Sequence, residues 1–207
     1  MPDTPSFEIE QSLSGPVAGI DEAGRGPWAG PVVAAAVILD PRSAPTGLND
    51  SKALTEKRRE ALAAEIWASA QVGVGLASVQ EIDRVNIGRA TLLAMARAVA
   101  NLPVRPSSTI IDGKLTPKLP CRAVAVVKGD AKSCSVAAAS IIAKVTRDRM
   151  MIALADEFPG YAWERNKGYG AKAHREGLDL LGVTPHHRRS FAPIAAMLDD
   201  KALRDAA

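Results

Sequence analysis

The sequence predicts an α/β fold in which a mixed sheet is flanked by helices, with a small helical extension at the C-terminal end. Strand patterns come first in the chain and then alternate with helical patterns, which is typical of this class. At 207 residues and 47% apolar composition, the chain can bury one main core. We expect an N-terminal tail over 1–15, the core over 16–160 and a helical segment over 161–207.

Two strands joined by a glycine turn are predicted at the start of the core. The apolar runs PVAGI (16–20) and PVVAAAVIL (31–39) flank this turn. Pro27 and Pro31 make a helix interior unfavourable here, because proline removes a backbone donor and clashes with the preceding turn. The pattern is therefore typical of a hairpin.

Helical and strand patterns alternate after the hairpin. Residues 50–70 have helical spacing with Ser51 or Thr55 as a cap, and residues 71–78 alternate as a strand. A second helix is predicted over 86–102, where a proline stops the pattern.

The second half of the chain repeats this alternation. Strands are predicted over 107–112 and 122–127, because turn signals follow both. A stretch rich in alanine and free of glycine and proline predicts one long helix from Ala131 to about Phe158. A short helix from about Ala171 to Leu181 and a final helical stretch complete the prediction.

Charge and cysteine usage exclude several classes of protein. The N-terminal residues lack the basic and apolar regions of a secretory signal, and the longest uncharged apolar run, 27–39, is too short for a membrane span. We therefore expect a cytoplasmic protein. Cys121 and Cys134 stand without CxxC pairing, which argues against a disulfide framework or a zinc site.

Basic side chains are concentrated in two segments, although the net charge is only +3. Residues 114–149 hold eight basic side chains against two acids, and residues 161–190 hold six against three. Such polarity suits a polyanionic partner, while a solvated charged face is the ordinary alternative.

Four acids fall near the ends of predicted elements: Asp21, Glu22, Asp112 and Asp130. Carboxylates that converge at one crevice repel each other unless divalent ions neutralise them, and oxygen ligands favour Mg²⁺ or Mn²⁺ over zinc. Because neighbours in a strand point to opposite faces, we expect the strand to end at the first two acids, so that both reach one site. Turn and cap roles, or simple solvation, are the alternatives.

Gly24, Gly26 and Gly30 superficially resemble a dinucleotide-binding fingerprint. The third glycine is one residue late, and prolines replace the helix start that would hold a pyrophosphate. Backbone without side chains at Gly24 and Gly26 instead allows close approach of a ligand, such as a ribose 2′-hydroxyl.

These motifs resemble type 2 ribonuclease H, the bacterial ribonuclease HII family. The resemblance covers about residues 16–195 in order, through GIDEAGRGPWAGPVVAAAVIL, LNDSKALTEKRREAL, EIDRVNIGRATLLAMARAV, IIDGKL, VKGDAKSCSVAAASIIAKVTRDRMM, NKGYGAKAH and TPHHRRSFAPI. It implies a ribonuclease H-like fold and cleavage of RNA in RNA–DNA hybrids, including single ribonucleotides embedded in duplex DNA.

The resemblance also implies roles for individual residues. The four active-site carboxylates that bind divalent metal match Asp21, Glu22, Asp112 and Asp130. The glycine-arginine-glycine motif that reads the 2′-hydroxyl matches Gly24, Arg25 and Gly26. The tyrosine that stacks on the sugar of the following deoxynucleotide matches Tyr169, which would otherwise be read as a loop anchor. Positions near the substrate backbone match Lys52, Ser140 and Lys144.

Some of these matches have a structural alternative. Lys144 and Asp148 are spaced to pair along a helix. Members of the family commonly have threonine where this chain has Ala171, so a helix that begins there loses a cap, at about 1 kcal/mol. A second metal site at His174, His186 and His187 is unfavourable among so many basic neighbours.

We hypothesise two-metal-ion phosphodiester hydrolysis that leaves 5′-phosphate and 3′-hydroxyl ends. The 2′-hydroxyl is then recognised and is not the nucleophile. A resolvase or transposase of similar fold, and a hybrid-binding protein without activity, are the alternatives. The C-terminal residues, LDDKALRDAA, show no evident sliding-clamp motif, so we expect no protein partner. We also expect a monomer.

Overall fold

A five-stranded mixed sheet forms the centre of the computed structural model, which describes residues 4–205, with side chains described through residue 199. In spatial order the strands run β3, β2, β1, β4, β5. Strand β1 pairs antiparallel with β2 and parallel with β4, β2 pairs antiparallel with β3, and β4 pairs parallel with β5. The strand bounds are β1 (Val17–Ala23), β2 (Val32–Ile38), β3 (Gln71–Ala77), β4 (Ser108–Asp112) and β5 (Arg122–Val126).

Eight α-helices are found among the described residues, and they cover both faces of the sheet. Their bounds are α1 (Glu8–Gln11), α2 (Glu56–Ser69), α3 (Val79–Val85), α4 (Ile87–Ala100), α5 (Cys134–Glu157), α6 (Trp163–Asn166), α7 (Lys172–Leu181) and α8 (Ala192–Asp205). Helices α2 and α5 share one apolar cluster with the sheet, and α3 and α4 share another on the opposite face. The predicted mixed α/β sheet is thus confirmed.

Helix α5 lies unusually close to the central strand β1. A Cβ atom added at Gly19 would lie 2.1 Å from the backbone carbon of Ser135 and 2.2 Å from the nitrogen of Val136. Only a residue without a side chain permits this approach. Asp21 follows two positions later on the same face of the strand, so it also faces α5.

The helix and strand boundaries differ from the predictions at α5 and at β1. Helix α5 begins at Cys134 rather than at Ala131, because residues Gly129–Ala131 form a 3₁₀ turn and the hydroxyl of Ser133 caps the helix. Thr55 caps α2, as one of the two predicted alternatives. Strand β1 continues to Ala23, so the prediction that it ends at the acids is wrong.

Helices α1, α3 and α6 are the elements that the sequence pattern did not indicate. Helix α3 begins with a capping box, in which the hydroxyl of Ser78 accepts from Glu81 N–H and the Glu81 carboxylate accepts from Ser78 N–H. Helix α6 is only four residues long. Elements of this length carry too little periodicity to be recognised.

The segment before β1 packs against the start of α5. The Glu10 carboxylate accepts hydrogen bonds from Ser133 Oγ at 2.7 Å and from Ser135 N at 2.8 Å. The Cys134 thiol donates to the Pro5 carbonyl at 3.3 Å. The predicted tail is therefore anchored where its residues are described; residues 1–3 and 206–207, which belong to the segments used for the signal and clamp predictions, lie outside the described residues.

None of the helices in the described part of the chain is long and apolar enough to cross a membrane.

Candidate active site

A cleft of about 420 Å³ opens beside the C-terminal end of β1. It brings together Asp21 and Glu22, the glycine motif, two residues of the segment before α2 and the tyrosine of the loop before α7. Its lining residues are Asp21, Glu22, Ala23, Gly24, Arg25, Gly26, Ser51, Lys52, Lys144, Arg147 and Tyr169.

Asp21 and Glu22 both line this cleft although they are neighbours within a strand. Asp21 pairs with Ala35 of β2 and Glu22 pairs with Ala34, so the pleat continues through both acids. Asp21 is buried, whereas Glu22 is partly exposed and pairs with Arg25 at 3.3 Å. The strand ends where Gly24 adopts a φ of +95°, a conformation that favours glycine.

Asp112 and Asp130 approach from the neighbouring strand and the turn before α5. Strand β4 runs parallel to β1, with Ile111 beside Ile20, so Asp112 ends β4 next to Asp21. Asp112 Oδ1 accepts a hydrogen bond from Gly129 N at 2.7 Å. This bond ties the end of β4 to the 3₁₀ turn that carries Asp130.

The four carboxylates interact electrostatically. Burial raises the pKa of Asp21 well above its ordinary value, and the charges of Glu22, Asp112 and Asp130 raise it further. Burial also raises the pKa of Glu22, against the opposing effect of Arg25. The pKa of Asp130 is raised by burial and by nearby carboxylates. The site therefore carries an excess of negative charge that favours a bound cation.

The donor set fits a hard divalent cation. All four side chains offer oxygen, which Mg²⁺ and Mn²⁺ prefer. Within residues 4–205, no three Asp, Glu, His or Cys side chains are close enough to form a complete cage. Magnesium usually binds one or two carboxylates together with substrate phosphates and waters, so an open arrangement suits it.

Lys52, Ser140 and Lys144 occupy different positions around the cleft. Burial lowers the pKa of Lys52, but nearby carboxylates, chiefly Asp50 and Asp21, raise it overall. Lys144 lines the cleft and pairs with Asp148 at 2.9 Å. The predicted alternative of a pair along the helix is thus confirmed.

Ser140 is buried and does not line the cleft. Its hydroxyl donates to the Ala137 carbonyl at 2.8 Å and accepts from Ser51 N at 3.3 Å. Ser140 therefore supports the segment that carries Lys52 from behind.

Tyr169 stands over the glycine motif. A Cβ atom added at Gly26 would lie 3.3 Å from Cε1 of Tyr169. Tyr169 itself is half exposed, with 50% of its surface accessible to solvent. The loop that carries it is packed tightly, because a Cβ at Gly170 would overlap the Trp28 ring at 2.2 Å. Ala171 precedes α7 and makes no side-chain cap, as its sequence predicts.

Arg147 and Arg188 are structural residues of the site that no sequence pattern indicated. Both are buried, at 1% and 0% exposure, and both guanidinium groups bind main-chain carbonyls. They lie within the two basic segments, whose charge predicts that their side chains are exposed to solvent and contact the phosphates of a polyanionic partner. For these two side chains that interpretation is wrong, because burial removes them from solvent.

A match to the family model described as Ribonuclease HII spans residues 18–194, which includes every element from β1 to the start of α8. The chain belongs to the ribonuclease HII family. Membership makes it a ribonuclease and confirms the resemblance drawn from the motifs.

Curated members of the ribonuclease HII family include close relatives of this chain. A protein named Ribonuclease HII from Jannaschia sp. (strain CCS1) is 59% identical over 195 residues, which cover 94% of this chain and 98% of the relative.

Solved structures of related proteins share the fold. The ribonuclease H2 from Pyrococcus horikoshii OT3 has a TM-score of 0.77 at 28% identity, covering 90% of this chain and 98% of that one. The RNase HII of a PCNA:RNase HII complex from Archaeoglobus fulgidus has a TM-score of 0.71 at 31% identity, covering 84% of this chain and 94% of that one. Bst-RNase HIII, solved in complex with Mn²⁺, has a TM-score of 0.68 at 23% identity, covering 92% of this chain and 71% of that one. At this identity the likeness shows the shared fold alone.

Proposed function

We propose that this ribonuclease hydrolyses the RNA strand of RNA–DNA hybrids and cuts 5′ of single ribonucleotides embedded in duplex DNA. The observation that carries the proposal is the juxtaposition in one cleft of Asp21 and Glu22 with the Gly24–Gly26 segment and Tyr169. Reactive acids thus lie directly beside bare main chain that can approach a sugar.

In this proposal the four carboxylates are the catalytic and metal-binding groups. Asp21, Glu22, Asp112 and Asp130 would hold Mg²⁺ or Mn²⁺, since their shared negative charge and oxygen donors suit such ions. When bound, divalent ions lower the pKa of water and stabilise the leaving oxygen of an in-line displacement. The products are 5′-phosphate and 3′-hydroxyl ends.

Selectivity for RNA is assigned to the glycine motif and to Tyr169. The 2′-hydroxyl is the group that distinguishes RNA from DNA, and it can both donate and accept hydrogen bonds. Gly24, Arg25 and Gly26 would recognise it through the main chain. The half-exposed ring of Tyr169, adjacent to Gly26, would stack on the sugar of the following deoxynucleotide.

Cations around the cleft would contact the phosphates. Lys52 and Lys144 line the cleft itself. Further exposed cations of the first basic segment include Lys114, Lys118, Arg122, Lys128 and Lys132. Such contacts make binding salt-dependent. The complex with PCNA belongs to the archaeal relative, and we propose none for this chain.

Cleavage mapping tests the proposal. A duplex with one embedded ribonucleotide, labelled at the 5′ end of that strand, should be cut once on the 5′ side of the ribonucleotide when Mg²⁺ or Mn²⁺ is present. The all-DNA duplex of the same sequence should stay intact. Equal cutting of both duplexes would instead favour a resolvase-like nuclease, and binding without cutting would favour a non-catalytic protein.

A further inference from the structure

The guanidinium of Arg188 is buried and donates only to main-chain carbonyls. Nε donates to Gly30 O at 2.9 Å, Nη1 donates to Arg25 O at 3.0 Å, and Nη2 donates to Gly24 O at 2.6 Å and to Pro31 O at 3.2 Å. No carboxylate in the described residues forms an ion pair with Arg188. Placing an unpaired cation in the interior is costly, so the carbonyl cluster needs an explanation.

Arg147 completes the same cluster from α5. Its Nε donates to Pro31 O at 3.0 Å, and Nη2 donates to Ala29 O at 3.1 Å. Gly24 rests directly on this side chain, since an added Cβ would lie 1.9 Å from the Arg147 Nε atom. The two cations therefore both bind the main chain between the strands β1 and β2, and they share the Pro31 carbonyl.

The carbonyl contacts determine where the neighbouring amides point. In a trans peptide the C=O and the N–H point in opposite directions, and the described chain contains no cis peptide. Arg188 holds the carbonyls of Gly24 and Arg25, so the N–H groups of Arg25 and Gly26 point away from it. Neither N–H donates to another described residue, and both residues line the cleft.

We propose that Arg188 is a positioning residue for ribose recognition. By fixing two successive peptide groups, it presents the N–H groups of Arg25 and Gly26 to the 2′-oxygen of the substrate. Hydrogen bonding of a carbonyl to a cation also polarises the peptide and strengthens its N–H as a donor. The inference rests on the proposed function and assigns the selectivity of that site to a residue that does not contact the substrate.

The test compares Arg188→Lys with a matched control. Lysine keeps the positive charge but lacks the planar fork that reaches several carbonyls at once. Arg97→Lys is the control, because Arg97 also donates to a carbonyl, that of Leu76, and pairs with Glu81, and neither partner lines the cleft. Both variants are first checked for a cooperative thermal unfolding transition.

Cleavage and binding are then measured on duplexes with and without one ribonucleotide, with binding followed in Ca²⁺. For Arg188→Lys, kcat/KM on the ribonucleotide duplex should fall on the order of 100-fold, as expected for a misplaced recognition group. Its affinity for the all-DNA duplex should stay unchanged, so the preference for the ribonucleotide duplex is lost. Arg97→Lys should behave as the parent.

The outcomes separate this inference from the proposed function. If the parent does not cut the ribonucleotide duplex, the proposed function fails. If the parent cuts it and Arg188→Lys keeps the parental rate and preference, the positioning role is overturned while the function stands.

A loss of affinity for both duplexes alike would also overturn the positioning role. If Arg188→Lys does not fold, the inference is tested on the parent protein by NMR spectra of its amide protons. The Arg25 and Gly26 amide protons should shift with the ribonucleotide duplex and not with DNA, and equal shifts with both would overturn the inference.

Discussion

The Nε2 atoms of His174 and His187 lie 3.0 Å apart in the interior. His187 Nδ1 accepts from Thr184 N–H at 3.0 Å, so its proton is on Nε2 and is donated to His174. His174 Nδ1 donates to the Tyr169 carbonyl at 2.9 Å. Both rings are therefore neutral, and the pair connects the Tyr169 loop to the segment before Arg188.

Acid should destabilise the protein through this pair. Burial and the neighbouring His174 lower the pKa of His187 to about 3 from an ordinary value of 6.5. Between these values the unfolded chain binds the extra proton, so stability is full above about pH 6.5 and declines as the pH falls towards 3. His187 alone should cost up to about 2 kcal/mol at pH 5. Urea unfolding at pH 5 and pH 7.5 measures this loss.

Two variants isolate the effect of His187 from that of the cleft carboxylates, whose raised pKa values act in the opposite direction. His187→Gln should be less stable than the parent at pH 7.5, but its free energy of unfolding should fall less than that of the parent between pH 7.5 and pH 5. His186→Gln replaces a partly buried ring that forms no hydrogen bond with any described residue, and this variant should keep the parental pH dependence. An unchanged pH dependence in His187→Gln would contradict the assignment.

Alanine should have different effects at Gly24 and Gly26, the two glycines of the proposed recognition motif. Gly24 has a φ of +95° and an added Cβ would lie 1.9 Å from Arg147, so Gly24→Ala should destabilise the fold by about 3 kcal/mol. Gly26 has neither constraint, because a Cβ added there would lie 3.3 Å from its nearest neighbour, Cε1 of Tyr169. Gly26→Ala should cost less than about 1 kcal/mol, yet lower cleavage by displacing Tyr169. Chemical denaturation and cleavage assays give the two values, and equal stabilities would refute the first expectation.

Asp21→Asn should abolish cleavage and, without divalent ions, increase stability. Asparagine keeps an oxygen that can accept the 2.7 Å hydrogen bond from Glu22 N but removes a buried charge next to three other carboxylates. We expect a gain on the order of 1 kcal/mol in the free energy of unfolding, measured in EDTA. Asp156→Asn, at an exposed position, serves as the control and should change neither property.

Magnesium should reverse this order of stability. Binding to the folded state alone stabilises the parent by about 2.7 kcal/mol at 100 times the dissociation constant. Asp21→Asn has lost one carboxylate, so Mg²⁺ should stabilise it less than it stabilises the parent. If Mg²⁺ stabilises both proteins equally, the ion binds elsewhere and the metal assignment to Asp21 fails.

Tyr169 should affect cleavage without affecting stability. Its ring is half exposed, so Tyr169→Ala should change the free energy of unfolding by less than about 0.5 kcal/mol. Loss of stacking on the substrate should reduce kcat/KM at least about tenfold, in line with the energies of aromatic stacking on nucleic acids. Tyr169→Phe keeps the ring and should retain most of the activity. A phenylalanine variant as impaired as the alanine variant would assign the role to the hydroxyl instead.

The strands were predictable because their signals are local. Alternation and apolar runs such as those of β2 and β3 follow from burial of one or both faces of a sheet. The end of β1 was not predictable, because pairing with β2 carries the strand through Asp21 and Glu22 to Ala23. Long-range hydrogen bonds of this kind leave no pattern in the strand itself.

The carboxylates and the glycine motif are site residues that the sequence predicts and that stay predictions, whereas the arginines that hold the motif were not predictable. Arginine is ordinarily exposed, and nothing in the chain distinguishes buried Arg188 from its exposed neighbour Arg189. The difference arises from carbonyls of residues 24–31, more than 150 positions away, which converge only in the folded state.

The contact between Gly19 and α5 sets the dimensions of the candidate active site. Asp21 belongs to the strand and Asp130 to the turn that leads into this helix, so the separation of the two acids is fixed by how closely helix and strand approach. A single methyl group at Gly19 would force that approach apart by way of Ser135. Gly19 therefore sets the distance between β1 and α5, and the proposed metal binding by Asp21 and Asp130 depends on the absence of a side chain at this position.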